Sequence, residues 1–237
     1  MWIHVLWQLY FTLFHNCYIK SISLDKNKKN NRIIVMKEIL FGTTNKAKIL
    51  QLQGALAPIG VVVRGIESNT PLPVINEDGI TAQENARKKA LTYAKALNTT
   101  VFSMDNALYF DKLSSEEQPG LHVRRINLTN ERPTDNEVLE YYSSLIKKFG
   151  DRTTGHWEFA ICVATPNGTY EETTVISSRI FTSIPSTKMV SGYPLESIQI
   201  DPITGRYISE MSQEEQDIFW QQSIGKPIQE FIKTIDF

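Results

Sequence analysis

The chain has 237 residues, 41% of them apolar and 22% charged, with a net charge of −1. That is long enough for one large domain or two small ones with a real core, in an ordinary globular composition. The near-neutral charge argues against a nucleic-acid coat or a polybasic membrane binder. Cys17 and Cys162 make neither a disulfide framework nor a zinc spacing, and His4, His15, His122 and His156 form no metal motif, so a reducing cytoplasm is the default expectation.

Residues 1–35 differ from the rest. Met1 to Tyr18 is apolar and aromatic, but His4, Gln8 and His15 interrupt it and it is short for a membrane span. It lacks a basic start and a small-residue cleavage site, which makes it a poor signal peptide. A polar tract follows with no core-forming pattern. The preferred reading is an upstream translated extension, with Met36 as the natural start and residues 36–237 as a single domain. An N-terminal anchor is the alternative. Residues 1–35 hold five basic side chains and one acidic one, so the remainder is mildly acidic, with 20 basic against 25 acidic residues.

The organised part opens on Met36-Lys-Glu-Ile-Leu-Phe-Gly-Thr-Thr-Asn-Lys-Ala-Lys48. A strand around Ile39 to Phe41 runs through Gly42-Thr43-Thr44-Asn45 into a helix whose apolar face carries Ile49, Leu52 and Leu56. Asn45 is a suitable N-cap. A strand–turn–helix junction gathers N–H groups and a positive dipole end, which suits an anionic ligand such as phosphate, and Lys48 adds charge there. An ordinary capped helix with a solvated lysine is the competing reading.

Gly60 to Arg64 reads as a buried strand. Pro71 to Gly79 is a loop, and Thr81-Ala-Gln-Glu84 a capping box opening a helix that buries Ala86, Ala90, Ala94 and Leu97 and stops at Asn98. Val101 to Asn106 reads as a strand ending in polar residues. Gln118-Pro119-Gly120 leads through a loop to Arg124 and Arg125. Thr134-Asp-Asn-Glu137 is a second capping box, opening a helix with Val138, Tyr142, Leu145 and Phe149 on one face and Gly150 as its stop. Trp157, Phe159, Ile161 and Val163 alternate along one arm of a hairpin that turns at Pro166-Asn167-Gly168 and returns over Tyr170 to Phe181. Ser183 to Gly205 is loop-rich, and Glu210 to Phe219 and Lys226 to Ile235 look helical. The fold class is α/β: a mixed sheet in one domain of two lobes.

Several of these segments together resemble the inosine triphosphate pyrophosphatase family. Thr43-Thr-Asn45-Lys-Ala-Lys48 is similar to T-G-N-x-x-K. Glu77-Asp-Gly-Ile-Thr81-Ala-Gln-Glu84-Asn85-Ala86-Arg-Lys-Lys89-Ala90 is similar to E-x-G-x-T-x-x-E-N-A-x-x-K-A, the most specific of the set. Ser103-Met-Asp105-Asn-Ala-Leu108-Tyr-Phe-Asp111 resembles A-D-D-S-G-L-x-V-D. Pro119-Gly120 with Arg125, and Ser209-Glu210-Met211-Ser-Gln-Glu214-Glu215, complete five matches in the family's order over roughly residues 37–235.

The resemblance implies a long, twisted mixed sheet flanked by helices in two lobes with a central nucleotide cleft, usually dimeric. It implies magnesium-dependent hydrolysis of a nucleoside triphosphate to the monophosphate and pyrophosphate. Glu77 matches the family's metal-binding glutamate, and Asp105 its catalytic aspartate, which also serves the metal. Thr43, Asn45, Lys48 and Lys89 would grip the phosphates, and Arg125, Gly192 and Tyr193 would contact the rest of the substrate. No nucleic-acid partner is expected, nor a membrane for the core domain. Each residue also has a plainer role: Glu77 as a solvated loop acid, Asp105 as a turn cap, Lys89 on a polar helix face, Arg125 in a surface ion pair. Glu84 reads as the capping partner of Thr81 rather than a ligand.

The departures fall mainly on base recognition. The family's paired acids become Met104-Asp105, and the glutamate after the lysine becomes Gln51. F-G-Y-D-P becomes Ser191-Gly192-Tyr193-Pro194-Leu195, and S-H-R-G-K becomes Gln222-Ser223-Ile224-Gly225-Lys226. Phosphate and metal groups are largely kept while groups reading a 6-oxo purine are largely lost. Altered or relaxed base preference is the expectation, and a catalytically weak nucleotide-binding or regulatory protein is the alternative.

Overall fold

The computed structural model describes residues 37–126 and 133–235, with the short pairs 22–23 and 34–35. The extension expected over residues 1–35 lies outside the described residues, apart from Ile22–Ser23 (β1) and Ile34–Val35 (β2), which pair antiparallel.

The chain then runs β3 (Lys37–Phe41), α1 (Lys46–Leu56), β4 (Val61–Gly65), α2 (Ala82–Leu97), β5 (Val101–Phe110), α3 (Asp135–Lys147), β6 (Arg152–Ala164), β7 (Tyr170–Thr182), β8 (Gln199–Ile200), α4 (Gln213–Trp220) and α5 (Lys226–Thr234). Six strands form one sheet in the order β4-β3-β5-β6-β7-β8. β3 runs parallel to β4 and β5, and β5 to β8 are antiparallel, so the mixed α/β sheet expected from the sequence is present.

The β6–β7 hairpin is the spine, pairing without a break from Ala164↔Tyr170 to Arg152↔Thr182. Alternation along its neighbour β5 sorts the core onto two faces. On one face the alanine stripe of α2 (Ala86, Ala90, Ala94) packs fully buried against Ala107, Ala160 and Cys162. Small residues there let the helix sit close to the sheet. On the opposite face, Phe102 and Met104 lie under α1, α4 and α5, with Leu52, Ile224 and Ile228. Further along the same face Leu108 and Phe110 lie under α3, with Val138, Tyr142 and Ile146. Two helical layers thus cover the two ends of one sheet face. The gap between them is the cleft.

Several boundaries differ from the sequence reading. β5 does not end at Asn106; it continues to Phe110, because Ala107, Leu108 and Phe110 keep pairing with β6 as far as Gly155. Asp105 is therefore inside a strand, not at its end. α3 buries Ile146 in place of Leu145 and finishes before Phe149. α4 begins at Gln213 rather than Glu210, because Ser212 and Glu215 form a capping box that fixes its start. A five-residue π turn, Gln221–Gly225, then joins α4 to α5 almost continuously. At α2 the box is half made. Thr81 accepts from the Glu84 N–H, but Glu84 reaches back to the N–H of Ile80, not of Thr81.

Candidate functional site

The site is built where β3 stops. Its last residue, Phe41, pairs with Phe102, so β5 from Ser103 onward has outrun its parallel neighbour. The turn 42–45 and the start of α1 fill that notch. Asn45 caps α1 through its side-chain oxygen, which accepts from the N–H groups of Ala47 (3.0 Å) and Lys48 (3.4 Å). Thr43 Oγ1 accepts from the Asn45 N–H at 3.1 Å. The turn is thus partly self-satisfied, and Lys48 is the full positive charge beside it on the cavity wall. Burial and the like charge of Lys89 lower the Lys48 pKa; Asp105 and Glu77 pull the other way.

The loop carrying Glu77 is clamped onto α2. The Gly79 N–H donates to Asn85 Oδ1 at 2.8 Å, and a Cβ at Gly79 would sit 2.5 Å from that oxygen, so a larger residue would push the loop off. Lys88 pairs with Asp78, and Lys89 with Glu77 at 2.6 Å. Burial pushes the Glu77 pKa up, but the bond from Lys89 and the charges of Lys89, Lys48 and Arg125 outweigh it and hold the carboxyl below its ordinary value. Lys48, Glu77, Lys89 and Asp105 therefore form one electrostatic cluster drawn from α1, a loop, α2 and β5.

The cluster opens into a cavity of about 390 Å³ whose wall includes Thr43, Asn45, Lys48, Glu77, Asp105, Gly192 and Tyr193. Lys89 and Arg125 are not part of that wall. Lys89 acts through Glu77, and Arg125 reaches Glu77 by its charge. The neighbouring Arg124 lines the cavity instead. It bonds Asp135 at 2.7 Å and the Gly192 carbonyl at 3.0 Å, and Asp135 accepts from the Gly192 N–H at 2.7 Å. This three-way tie holds the Gly192–Tyr193 turn over the cleft, where the Tyr193 hydroxyl meets Gln51 Oε1 at 3.3 Å. Arg124→Ala strips a partly buried partner from Asp135 and frees the turn. A loss of about 1–3 kcal/mol of stability is expected, together with a raised KM, checked by denaturant melts and steady-state kinetics.

The far wall is aromatic. Trp157 and Phe159 project from β6, and Trp220 from the end of α4. Gln199 of β8 and Glu196, in the turn before it, complete that end. Gln199 accepts from Trp157 Nε1 at 3.0 Å. Phe159 pairs with Asn106, so the aromatic wall begins one strand spacing, ~5 Å, from the strand that carries Asp105, and Gln199 and Glu196 extend it toward β8. Two acids and the Lys48 ammonium line one side of the cavity, and flat π faces line another.

The Ham1 family profile matches residues 39–220, from the first strand of the sheet to the end of α4. The chain belongs to the Ham1 family. A dITP/XTP pyrophosphatase from Bacillus subtilis (strain 168) is 30% identical over 149 residues, covering 62% of this chain and 72% of that protein. The Staphylococcus aureus Ham1 protein structure superposes with a TM-score of 0.60 at 24% identity, over 84% of this chain and 99% of that one. The HAM1 protein of Coxiella burnetii gives 0.65 at 19% identity, over 84% and 100%. The two structures share the fold, and the resemblance drawn from the five motifs holds at family level.

Among the described residues of this Ham1 protein, no group of three or more His, Cys, Asp or Glu side chains is placed to hold a metal alone. Glu77 and Asp105 are two carboxylates at one cavity end, beside charges suited to phosphate. That fits magnesium, which keeps waters and takes one or two protein carboxylates plus substrate phosphates. Met104, where the family pattern has a second acid, is 2% exposed in the apolar layer under α1, so the carboxylate is replaced by core packing. Asp201, the first residue of an Asp-Pro-Ile outside the matched segments, accepts from the Ile203 N–H, and from the N–H and hydroxyl of Thr204, to cap a turn. Among the described residues no helix is long and apolar enough to cross a membrane.

Asn106, Arg124, Trp157, Phe159, Glu196, Gln199 and Trp220 line the site without having been singled out for it from the sequence. The alternation of Trp157 and Phe159 marked a buried strand face, but which buried face fronts a cleft depends on the gap between helix layers.

Proposed function

We propose that this protein hydrolyses nucleoside triphosphates to the monophosphate and pyrophosphate, with magnesium, in the cytoplasm and as a homodimer. The observation that carries this reading is the joining, within one cavity, of the Lys48–Glu77–Asp105 end to the wall of Trp157, Phe159 and Trp220. Lys48 and Lys89 offset phosphate charge, while the Glu77 carboxylate, kept ionised by its cationic neighbours, remains available to the metal. Magnesium would supply charge neutralisation of the phosphates and orient them for in-line attack. Asp105 orients and deprotonates the attacking water, the role of a positioned general base. The aromatic wall takes the base by stacking, which every base tolerates because every base has a π face. Breadth, or a changed preference, follows from such a wall.

The test is a panel of ATP, GTP, CTP, UTP, ITP and XTP with magnesium, separating the products. Pyrophosphate and monophosphate are expected, with more than one base accepted. Phosphate and diphosphate as products would overturn the cleavage position, and strong selectivity for ITP and XTP over ATP would overturn the altered base preference. The buried Met104 favours a second reading, a nucleotide-binding protein with weak turnover. Binding without release of pyrophosphate from any member of the panel would establish that reading.

A further inference from the structure

Glu196 is an unusual residue for a cavity wall. It is 5% exposed, it lines the cleft, and its Oε2 has no hydrogen-bond partner. A buried acceptor left unmade costs desolvation energy, so an orphan carboxylate oxygen sealed just behind a cavity wall calls for a donor that reaches it as the cavity fills. The donors nearby are committed elsewhere. Trp157 Nε1 serves Gln199, the Tyr193 hydroxyl serves Gln51, and Arg179 Nη1 serves Ser177 and the Ser178 carbonyl. Arg179 keeps two unpaired guanidinium nitrogens, but its guanidinium is packed on Phe219 and Trp220 and it is not part of the cavity wall.

We propose that Glu196 reads the base: its carboxylate accepts from an exocyclic amino group, so amino-bearing bases are favoured over their counterparts without one. This rests on the nucleotide reading of the cleft. Glu196 lines the same cavity as the Trp157 ring and as Gln199, which Trp157 bonds, and a base stacked on that wall would present its edge within the same space. A keto oxygen at the same place would meet an acceptor with an acceptor, and the pair repels. Burial pushes the Glu196 carboxyl up to about 7, against the opposing charge of Arg179, so it is an ionised acceptor at mildly alkaline pH.

The experiment measures binding by tryptophan fluorescence at pH 8 with magnesium, on the full chain. The ligands are the uncleavable α,β-methylene forms of ATP, purine riboside triphosphate, GTP and ITP. ATP differs from the purine form, and GTP from ITP, by one amino group or its absence. At least one amino-bearing member is expected to bind about tenfold or more tightly than its partner, the margin of one bond to a charged acceptor. Glu196→Gln should shrink that margin and Glu196→Leu abolish it; the latter leaves behind no bonded partner of Oε2. No margin in the wild type, or a margin that survives Glu196→Leu, overturns the proposal. A margin present without turnover of the cleavable nucleotides refutes the hydrolase alone. If no analogue binds, the nucleotide reading fails and the role of Glu196 with it.

Discussion

Asp105→Asn is expected to lower pyrophosphate release by about 10²- to 10⁴-fold, the span typical of a removed general base. The amide keeps the shape of the carboxylate but takes up no proton. Asp105 sits on β5 beyond the point where β3 ends, so its position is set by strand pairing to Ala160 rather than by a loop. A side chain on a rigid strand changes chemistry without moving, and the thermal midpoint and the nucleotide affinity measured without magnesium should be nearly unchanged. A fall in kcat at constant KM is the signature of an interaction made only in the transition state. Activity that survives the substitution would remove Asp105 from the reaction and move attention to Glu77. A loss of magnesium-dependent binding as large as the loss of kcat would make metal ligation, not proton transfer, its larger role.

The strand placement of Asp105 also shows where the sequence misleads. Ser103, Asp105 and Asn106 read as a polar strand end, since polar clusters usually mark turns. Asp105 and Asn106 are polar because a cleft crosses the strand midway, while Ser103 is fully buried away from it, and Leu108 and Phe110 resume the core beyond. Local signals were legible: the Asn45 cap, the box at Thr134–Glu137, the alanine stripe of α2 and the hairpin turn all depend on neighbours a few residues apart. The residues of the charged cluster were legible too, because each belongs to a short segment that carries a family motif: Lys48 at a helix start, Glu77 in a loop, Lys89 in α2 and Asp105 in β5. The aromatic end was not. Trp157, the 196–199 stretch and Trp220 come from three parts of the chain that meet only after the sheet forms, and their local contacts, such as Trp157 with Phe159 and Trp220 with Phe219, mark a buried face rather than a cleft. Arg124 and Arg125 could not be ranked without knowing that Asp135 and Gly192 close on the first.

Lys48→Met should weaken triphosphate binding by about 10- to 100-fold, the worth of one charge-assisted bond, while the ligand-free protein holds or gains stability. Those outcomes share one cause. The cluster gathers two ammonium groups at one cavity end, and burial together with Lys89 makes the charged form of Lys48 unfavourable there. A lysine whose folded-state pKa is lowered costs stability when charged; as pH rises from that value toward the unfolded value near 10.4, the folded state sheds its proton first and the cost disappears. The ligand-free wild type should therefore gain stability relative to Lys48→Met as pH climbs toward that value, and melts from pH 6 to 10 would show the two curves converging. A triphosphate reverses the preference, because its negative charge favours the ammonium and raises the Lys48 pKa. Binding in the alkaline range should then take up a proton, measurable as a buffer-dependent heat, and the variant should lose that uptake. A variant that binds as tightly as wild type would reduce Lys48 to a packed helix residue and leave Lys89, through Glu77, as the phosphate group. The tension is the expected state of a binding site built before its ligand arrives: an ammonium group buried at a cost that the substrate removes.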